Sequence, residues 1–391
     1  MGNNSMKENI KGFLQNNAMV FVLFVVFIFF NILTNGKMLY AQNISNLLVQ
    51  NAHVIILACG MLLCILTGGN IDLSIGCTVC LSGAIAGKLL ENSGMSPLAV
   101  VLISMFAAIL VGIWNGAWIG YGKIPPFIVT LASMFMVRGL ARAVIDSKTV
   151  LVVNNDFNSW FTSYINIPGL DDGLVKYSAI AFGIIACIVL IFSTYSSYKA
   201  QVVAKNDKSI PHENIQKLCV VMVFFLLCSW KLANCDGLSV LILWAVFIAY
   251  IYNFFTEKMK WGRYFYAVGG NEKATKLSGI NTKLVYFWAY VQVAFLSGLC
   301  GLLTASRIGS VNGDMGTQYE MDAIASCFIG GASAYGGSGT VKGAVIGAIL
   351  MGIINQGMSI YGLNTNWQYV VKGIVLLLAI VFAQMVKTEG K

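Results

Sequence analysis

Long apolar runs, each about the length needed to cross a bilayer, follow one another along almost the whole chain, with short polar stretches between them. Hydrocarbon about 30 Å thick takes roughly 20 residues of helix. The runs place spans near residues 17–35, 47–67, 71–90, 97–121, 124–145, 177–196, 218–234, 237–255, 284–304, 321–339, 342–359 and 367–386. The strand-like alternation of a membrane β-barrel is absent from these runs, so the backbone bonds must close within helices. The predicted fold is all-α, a polytopic membrane protein of about 10–12 transmembrane helices. The third and tenth runs are glycine-rich and interrupted, and read as broken or re-entrant segments. Gly68-Gly69 followed by Gly83-Ala84-Ile85-Ala86-Gly87 has a counterpart in Gly330-Gly331 followed by Gly343-Ala344-Val345-Ile346-Gly347. That recurrence predicts two internal repeats around a central pathway; the competing account is that small residues are common wherever helices pack closely.

One polar interruption has more order than a spacer needs. From Thr256 to Lys283 the chain reads TEKMKWGRYFYAVGGNEKATKLSGINTK. Asn271 suits a helix N-cap, and Glu272 behind it complements the positive end of the helix dipole. Glu272 to Leu277 then makes one or two helical turns, closed by Gly279. A short capped helix on a basic loop between spans is suited to docking something soluble.

Composition narrows the class. Of 391 residues, 58% are hydrophobic and 10% charged. No polar stretch exceeds about 30 residues, too short for a self-stabilising core. The chain is therefore expected to form a single transmembrane domain over residues 1–391, with 256–283 as a cytoplasmic loop. The formal charge of +9 resides in short loops, which is positive-inside topology rather than nucleic-acid binding. Lys7, Lys11, Lys199, Lys205, Lys208, Lys217, the lysines of 256–283, Lys387 and Lys391 fall on one side, whereas Asp146, Asp156, Asp171 and Asp172 mark the 146–176 loop as external. Both termini are then cytoplasmic. Arg138 and Arg142, near the outer end of the fifth span, run against that pattern. The first apolar run, Ala18 to Leu33, lacks a small-residue cleavage site and reads as a signal anchor.

Candidate chemistry is sparse. The ten cysteines include one CxxC pair, Cys77 and Cys80, without a second pair or a neighbouring histidine, and read as packing residues. His53 and His212 have no metal-ligand company. No phosphate-loop spacing occurs, even in the glycine-rich stretch from Gly330 to Gly343, so this chain does not hydrolyse ATP by itself. Two polar groups within apolar sequence stand out. Asn70, Asp72 and Ser74 lie where one run ends and the next begins, and Asp72 either caps that next helix or faces a polar solute. Glu320 and Asp322 sit at a second helix start, where they suit the dipole.

Several segments together resemble the permease subunits of ABC-type monosaccharide importers. They are TGGNIDLSIG from Thr67, NGAWIGYGKIPPFIVTLASMFMVRGL from Asn115, GRYFYAVGGNEKATKLSGIN from Gly262, YEMDAIASCFIGGASAYGGSGTVKGAVIGA from Tyr319 and NQGMSIYGLNTNWQYVVKGIVLLLA from Asn355. That ending, with the extra apolar pair between Leu218 and Phe255, is most similar to the xylose or multiple-monosaccharide permeases. The resemblance implies a bacterial plasma-membrane permease without cofactors of its own. ATP and Mg would bind a separate ATP-binding subunit. A second permease chain and an extracellular or periplasmic sugar-binding protein would complete the assembly. It also implies that Gly269, Gly270, Asn271, Glu272, Lys273, Ala274, Ser278, Gly279 and Ile280 form the loop that docks into the ATPase. Thr275 stands where the family often has Ala. A pathway for a neutral polar sugar is expected to use Asn, Ser, Thr and aromatic groups rather than charges, and the candidates are Asn70, Asp72, Ser74, Asn115, Asn355 and Trp367. The alternative is a stand-alone ion-coupled secondary transporter of a small polar solute, for which buried ionisable pairs or a cation cage of unwound carbonyls would be needed and Asp72 alone is thin support.

Overall fold

A computed structural model describes residues 18–92, 95–171, 173, 175–205 and 212–388. Lys7, Lys11, Asp172, Lys208 and Lys391 of the charge argument lie outside them. The helices are α1 (Ala18–Leu33), α2 (Ala41–Leu66), α3 (Ile75–Asn92), α4 (Pro97–Gly116), α5 (Pro126–Val144), α6 (Asn155–Phe161), α7 (Tyr177–Lys205), α8 (His212–Ala233), α9 (Val240–Lys258), α10 (Lys260–Gly270), α11 (Glu272–Leu277), α12 (Thr282–Ile308), α13 (Tyr319–Ile329), α14 (Val341–Tyr361) and α15 (Thr365–Thr388). Two residue pairs form a small antiparallel ladder, β1 (Val150–Leu151) against β2 (Ser310–Val311), with Val150 opposite Val311. Among the described residues six helices are long and apolar enough to cross a membrane, namely α2, α4 with its continuation to Tyr121, α5, α9, α12 and α14; α1, α7, α8 and α15 carry shorter apolar stretches. The protein is an all-α, multi-pass membrane protein, as the apolar runs predict.

The chain divides into two compact units, residues 1–49 with 164–239 and residues 50–163 with 240–391. In the first, α8 packs on α7, where a Cβ on Gly183 would meet the side chain of Ser229. Asp171 fastens the approach to α7: its Oδ2 accepts the Ile167 N–H at 2.9 Å and its Oδ1 the Ser178 N–H at 3.0 Å. Burial opposes its charge, but these N–H donors and Lys176 outweigh it and hold the carboxyl below its ordinary range. The two apolar runs expected between Leu218 and Phe255 are helices: α8 sits on α7 in the first unit, and α9 lies against α10 and α14 in the second.

In the second unit α12 is the hub. Most of its apolar length is buried, 78%, against 33% for α4 and 28% for α5, which leave broad apolar faces outward. Glycines explain how closely it is packed. Gly112, Gly116 and Gly120 form one ridge of α4 and its π-helical continuation (Ala117–Tyr121), and a Cβ on each would press on α12 at Val291, Phe287 and Lys283. Gly301 of α12 faces the carbonyl of Val79 on α3 in the same way.

Two breaks interrupt this unit. After α2 the chain runs without helix from Thr67 through Ser74 before α3 begins, and after α13 it runs without helix from Gly330 to Thr340 before α14. The third predicted span is thus a full helix preceded by a break. The tenth is a half-length helix of 11 residues, because the glycines after Ile329 end it early.

The 146–176 loop is not plain coil. It contributes β1 and α6, the latter capped by Asn154, whose side chain accepts the Phe157 N–H at 2.9 Å. Arg138 and Arg142 now have a purpose. Arg138 donates to the carbonyls of Gly313 and Met315 at 3.2 and 2.7 Å, and Arg142 pairs with Asp314 at 2.8 Å. Both hold the turn between β2 and α13, so their charge serves that turn rather than topology.

Candidate functional site

The predicted coupling segment folds as its residues dictate. The Asn271 side chain accepts the Ala274 N–H at 3.0 Å and starts α11, and Gly279, at φ +84°, supplies the left-handed residue that ends it. Glu272 does more than complement a dipole. Its carboxylate accepts from Thr282 Oγ1 at 3.1 Å and Tyr286 Oη at 3.2 Å, fixing α11 to the start of α12. Thr275 is buried and donates to the Ala267 carbonyl at 2.8 Å, an attachment to α10 that alanine could not make. Lys273, Ala274, Lys276, Leu277 and Ser278 remain exposed, and Leu277, an apolar side chain, is 89% exposed.

The neighbouring glycines Gly269 and Gly270 differ in kind. A Cβ on Gly270 would meet nothing, whereas one on Gly269 would strike the carbonyl oxygen of Leu66 and come 2.6 Å from the Gly337 nitrogen. Gly337 itself donates to that Leu66 carbonyl at 3.0 Å. The two breaks also touch each other, with Gly69 against Ala334 and Gly336 against Gly68. Tyr266 of α10 adds a bond to the Gly339 carbonyl at 3.0 Å; burial pushes its phenol above the ordinary range, so it stays a donor. The end of α10 therefore rests directly on both helix breaks. Beside it opens a cleft of about 660 Å³ lined by Asn70, Lys123, Pro125, Glu272, Lys276 and Lys283 among others.

Three of the six pathway candidates come together, in a buried chain of hydrogen bonds. Ser133 Oγ donates to Asn115 Oδ1 at 2.5 Å, Asn115 Nδ2 to Ser74 Oγ at 2.9 Å, and Ser74 Oγ to Asp72 Oδ1 at 2.6 Å. Asp72 Oδ1 also accepts the Ser74 N–H at 2.8 Å, a capping contact at the start of α3. These four side chains are at most 1% exposed. Sequence reading missed Ser133, whose only signal is its place on the apolar helix α5. Asn70 stands apart at the cleft, its amide turned back to Thr67. Trp367 is 62% exposed on α15 and, among the described residues, bonds to neither polar group through its side chain.

Asn355 belongs to a second group. Its Nδ2 donates to Asp322 Oδ2 at 3.3 Å, and the same oxygen takes Lys372 Nζ at 2.9 Å. This charged pair joins α13 to α15. Lys372, alone in an apolar run, was the one signal for it. Nearby, the ring of His53 on α2 stacks on that of Tyr319, centroids 3.9 Å apart.

Comparison with known proteins agrees with this architecture. A family model described as a branched-chain amino acid transport system permease component matches residues 43–380. The xylose transport system permease protein of Haemophilus influenzae is 34% identical over 368 residues, covering 94% of this chain and 95% of the relative. The ribose import permease protein of Bacillus subtilis is 31% identical, covering 94% of this chain and 92% of the relative. The galactose/methyl galactoside import permease protein of Escherichia coli is 30% identical, with 92% of each covered. No solved structure matches.

Proposed function

The chain belongs to this family of transport-system permease components, and on that premise we propose that it is the membrane-spanning subunit of an ATP-driven importer for a monosaccharide. It supplies the translocation pathway and no catalytic step. ATP and Mg are bound by a separate ATP-binding subunit, and a sugar-binding protein delivers the solute from outside. A second copy of the chain forms the other half of the pathway. The setting is a bacterial plasma membrane, with both termini cytoplasmic and residues 1–391 working as a single permease domain.

The observation that carries this reading is the seat of residues 269–280. The exposed face of α11 offers Lys273, Lys276 and Leu277 to a soluble partner, while its root at Gly269 bears on the two breaks at Leu66 and Gly337. Displacement of α11 by the ATPase is delivered to the points where α2, α3, α13 and α14 are interrupted. Rocking those interrupted helices alternates access to the pathway.

Gly270→Asp tests the docking surface, since Gly270 has open space for a side chain. The solubilised chain is expected to capture its cognate ATPase subunit and raise ATP turnover, and Gly270→Asp to abolish both while remaining folded in the membrane. Glu272→Arg, which breaks the bonds to Thr282 and Tyr286, is expected to leave capture weakened and transport uncoupled. Capture and uptake unchanged in both variants would overturn the docking assignment.

A further inference from the structure

Nothing in the packing of α13 against α15 calls for a charged pair. Lys372 and Asp322 side chains are 15% and 5% exposed and 2.9 Å apart. A pair taken out of water adds little net stability, and apolar side chains of similar volume usually pack as well. Ionisable groups at membrane depth mark routes for solutes or ions. A second observation concerns what the pair leaves open. Asp322 uses only Oδ2, for Lys372 and Asn355. Its Oδ1 and the Oδ1 of Asn355 are buried and accept no hydrogen bond, and the same holds for Asn51 Oδ1 and His53 Nε2 on α2. Asn51 is laid against α14 by its bond to the Ala348 carbonyl at 2.7 Å, beside Gly352 and one turn before Asn355. Tyr319, which stacks on His53, precedes Asp322 by three residues and so shares its helix face. Buried polar atoms are nearly always paired; here several unpaired ones gather where α2, α13 and α14 meet.

We propose that Asp322, Asn355 and Lys372 form an intramembrane subsite that reads the hydroxyl groups of an uncharged polyol, a free monosaccharide. This rests on the importer reading above. The donor and acceptor count fits the ligand: two open oxygens accept from sugar hydroxyls, and the ammonium keeps N–H donors beyond the one given to Asp322. The charges of Asp322 and Lys372 cancel, so a neutral solute meets polar contacts on both signs without the field that would trap an ion. Sugar selectivity would then be set partly inside the membrane.

The test uses the chain reconstituted with its ATPase subunit and binding protein. Rates of ATP-dependent uptake are compared for D-xylose, D-ribose and D-galactose, and for deoxy analogues of whichever sugar is moved. Asn355→Ala, Asn355→Ser and Lys372→Gln are expected to slow the parent sugar by about 10-fold or more and to erase most of its advantage over the analogue lacking the contacted hydroxyl. Lys342→Gln, in the exposed pair with Glu257, is expected to change neither. Exchanging the charges, Asp322→Lys with Lys372→Asp, is expected not to restore uptake. An unchanged preference between sugar and deoxy analogue in all three variants, or full recovery by the exchanged pair, would overturn the proposal and mark a structural ion pair. If the unaltered chain captures no ATPase and moves no sugar, the importer reading itself fails, and that outcome is separate from any result on the variants.

Discussion

Asp72 and Asp322 are both carboxylates beside interrupted helices, yet their surroundings differ. Asp72 is the end of a one-way chain of donors: Ser133 to Asn115, Asn115 to Ser74, and Ser74 to the carboxylate. Its partners are neutral, short and local to α3, α4 and α5. Asp322 is held by a cation 50 residues away and by one amide, and half of its carboxylate bonds to nothing. The first arrangement knits three helices together through neutral donors. The second concentrates charge and leaves open valences. Burial alone therefore does not separate the two acids; the buried cation beside Asp322 does.

Breaking each group should show the difference. Asp322→Ala strands the buried ammonium of Lys372, and loss of one partner of a buried pair costs about 3–5 kcal/mol. A large drop in the thermal midpoint of the detergent-solubilised chain, or loss of recoverable protein, is expected. Asp72→Ala removes an acceptor of two bonds and should cost about 1.5–3 kcal/mol, seen as a smaller shift in the same melt. Ser133→Ala leaves Asn115 Oδ1 without its donor and should cost roughly 1 kcal/mol. Asp322→Leu combined with Lys372→Leu should change stability by close to nothing, while abolishing uptake. A double variant as unstable as Asp322→Ala would make the pair a structural necessity and dissolve the contrast with Asp72.

Much of this was legible in the sequence, and the boundary follows interaction range. Asn271, Glu272 and Gly279 predict α11 because caps act over three or four residues. The apolar runs predict the helices, since bilayer thickness fixes their length. The GxxxG spacing of Gly112, Gly116 and Gly120 predicts a packing ridge, though not that α12 would fill it. Asn115 joining Asp72 and Ser74 was anticipated only as common membership of a pathway. Its bond crosses 41 residues. The ion pair was illegible because Asp322 already had a sufficient local reason at a helix start, and Lys372 had no visible partner. Arg138 and Arg142 looked anomalous because the carbonyls and carboxylate they hold are more than 170 residues away. Trp367 was chosen for its chemistry, but its side chain points out of the fold.

The contact of Gly269 with Leu66 and Gly337 is made by main chain alone. Side chains buffer displacement by hopping between rotamers, and a joint without them has no such slack. A shift of a fraction of an ångström at the root of α11 must be taken up by the next peptide groups in line, so the joint itself is stiff. Its tolerance to alteration is correspondingly narrow: one added methyl group at Gly269 is enough to part the surfaces, whereas a Cβ on Gly270 beside it would meet no part of this chain.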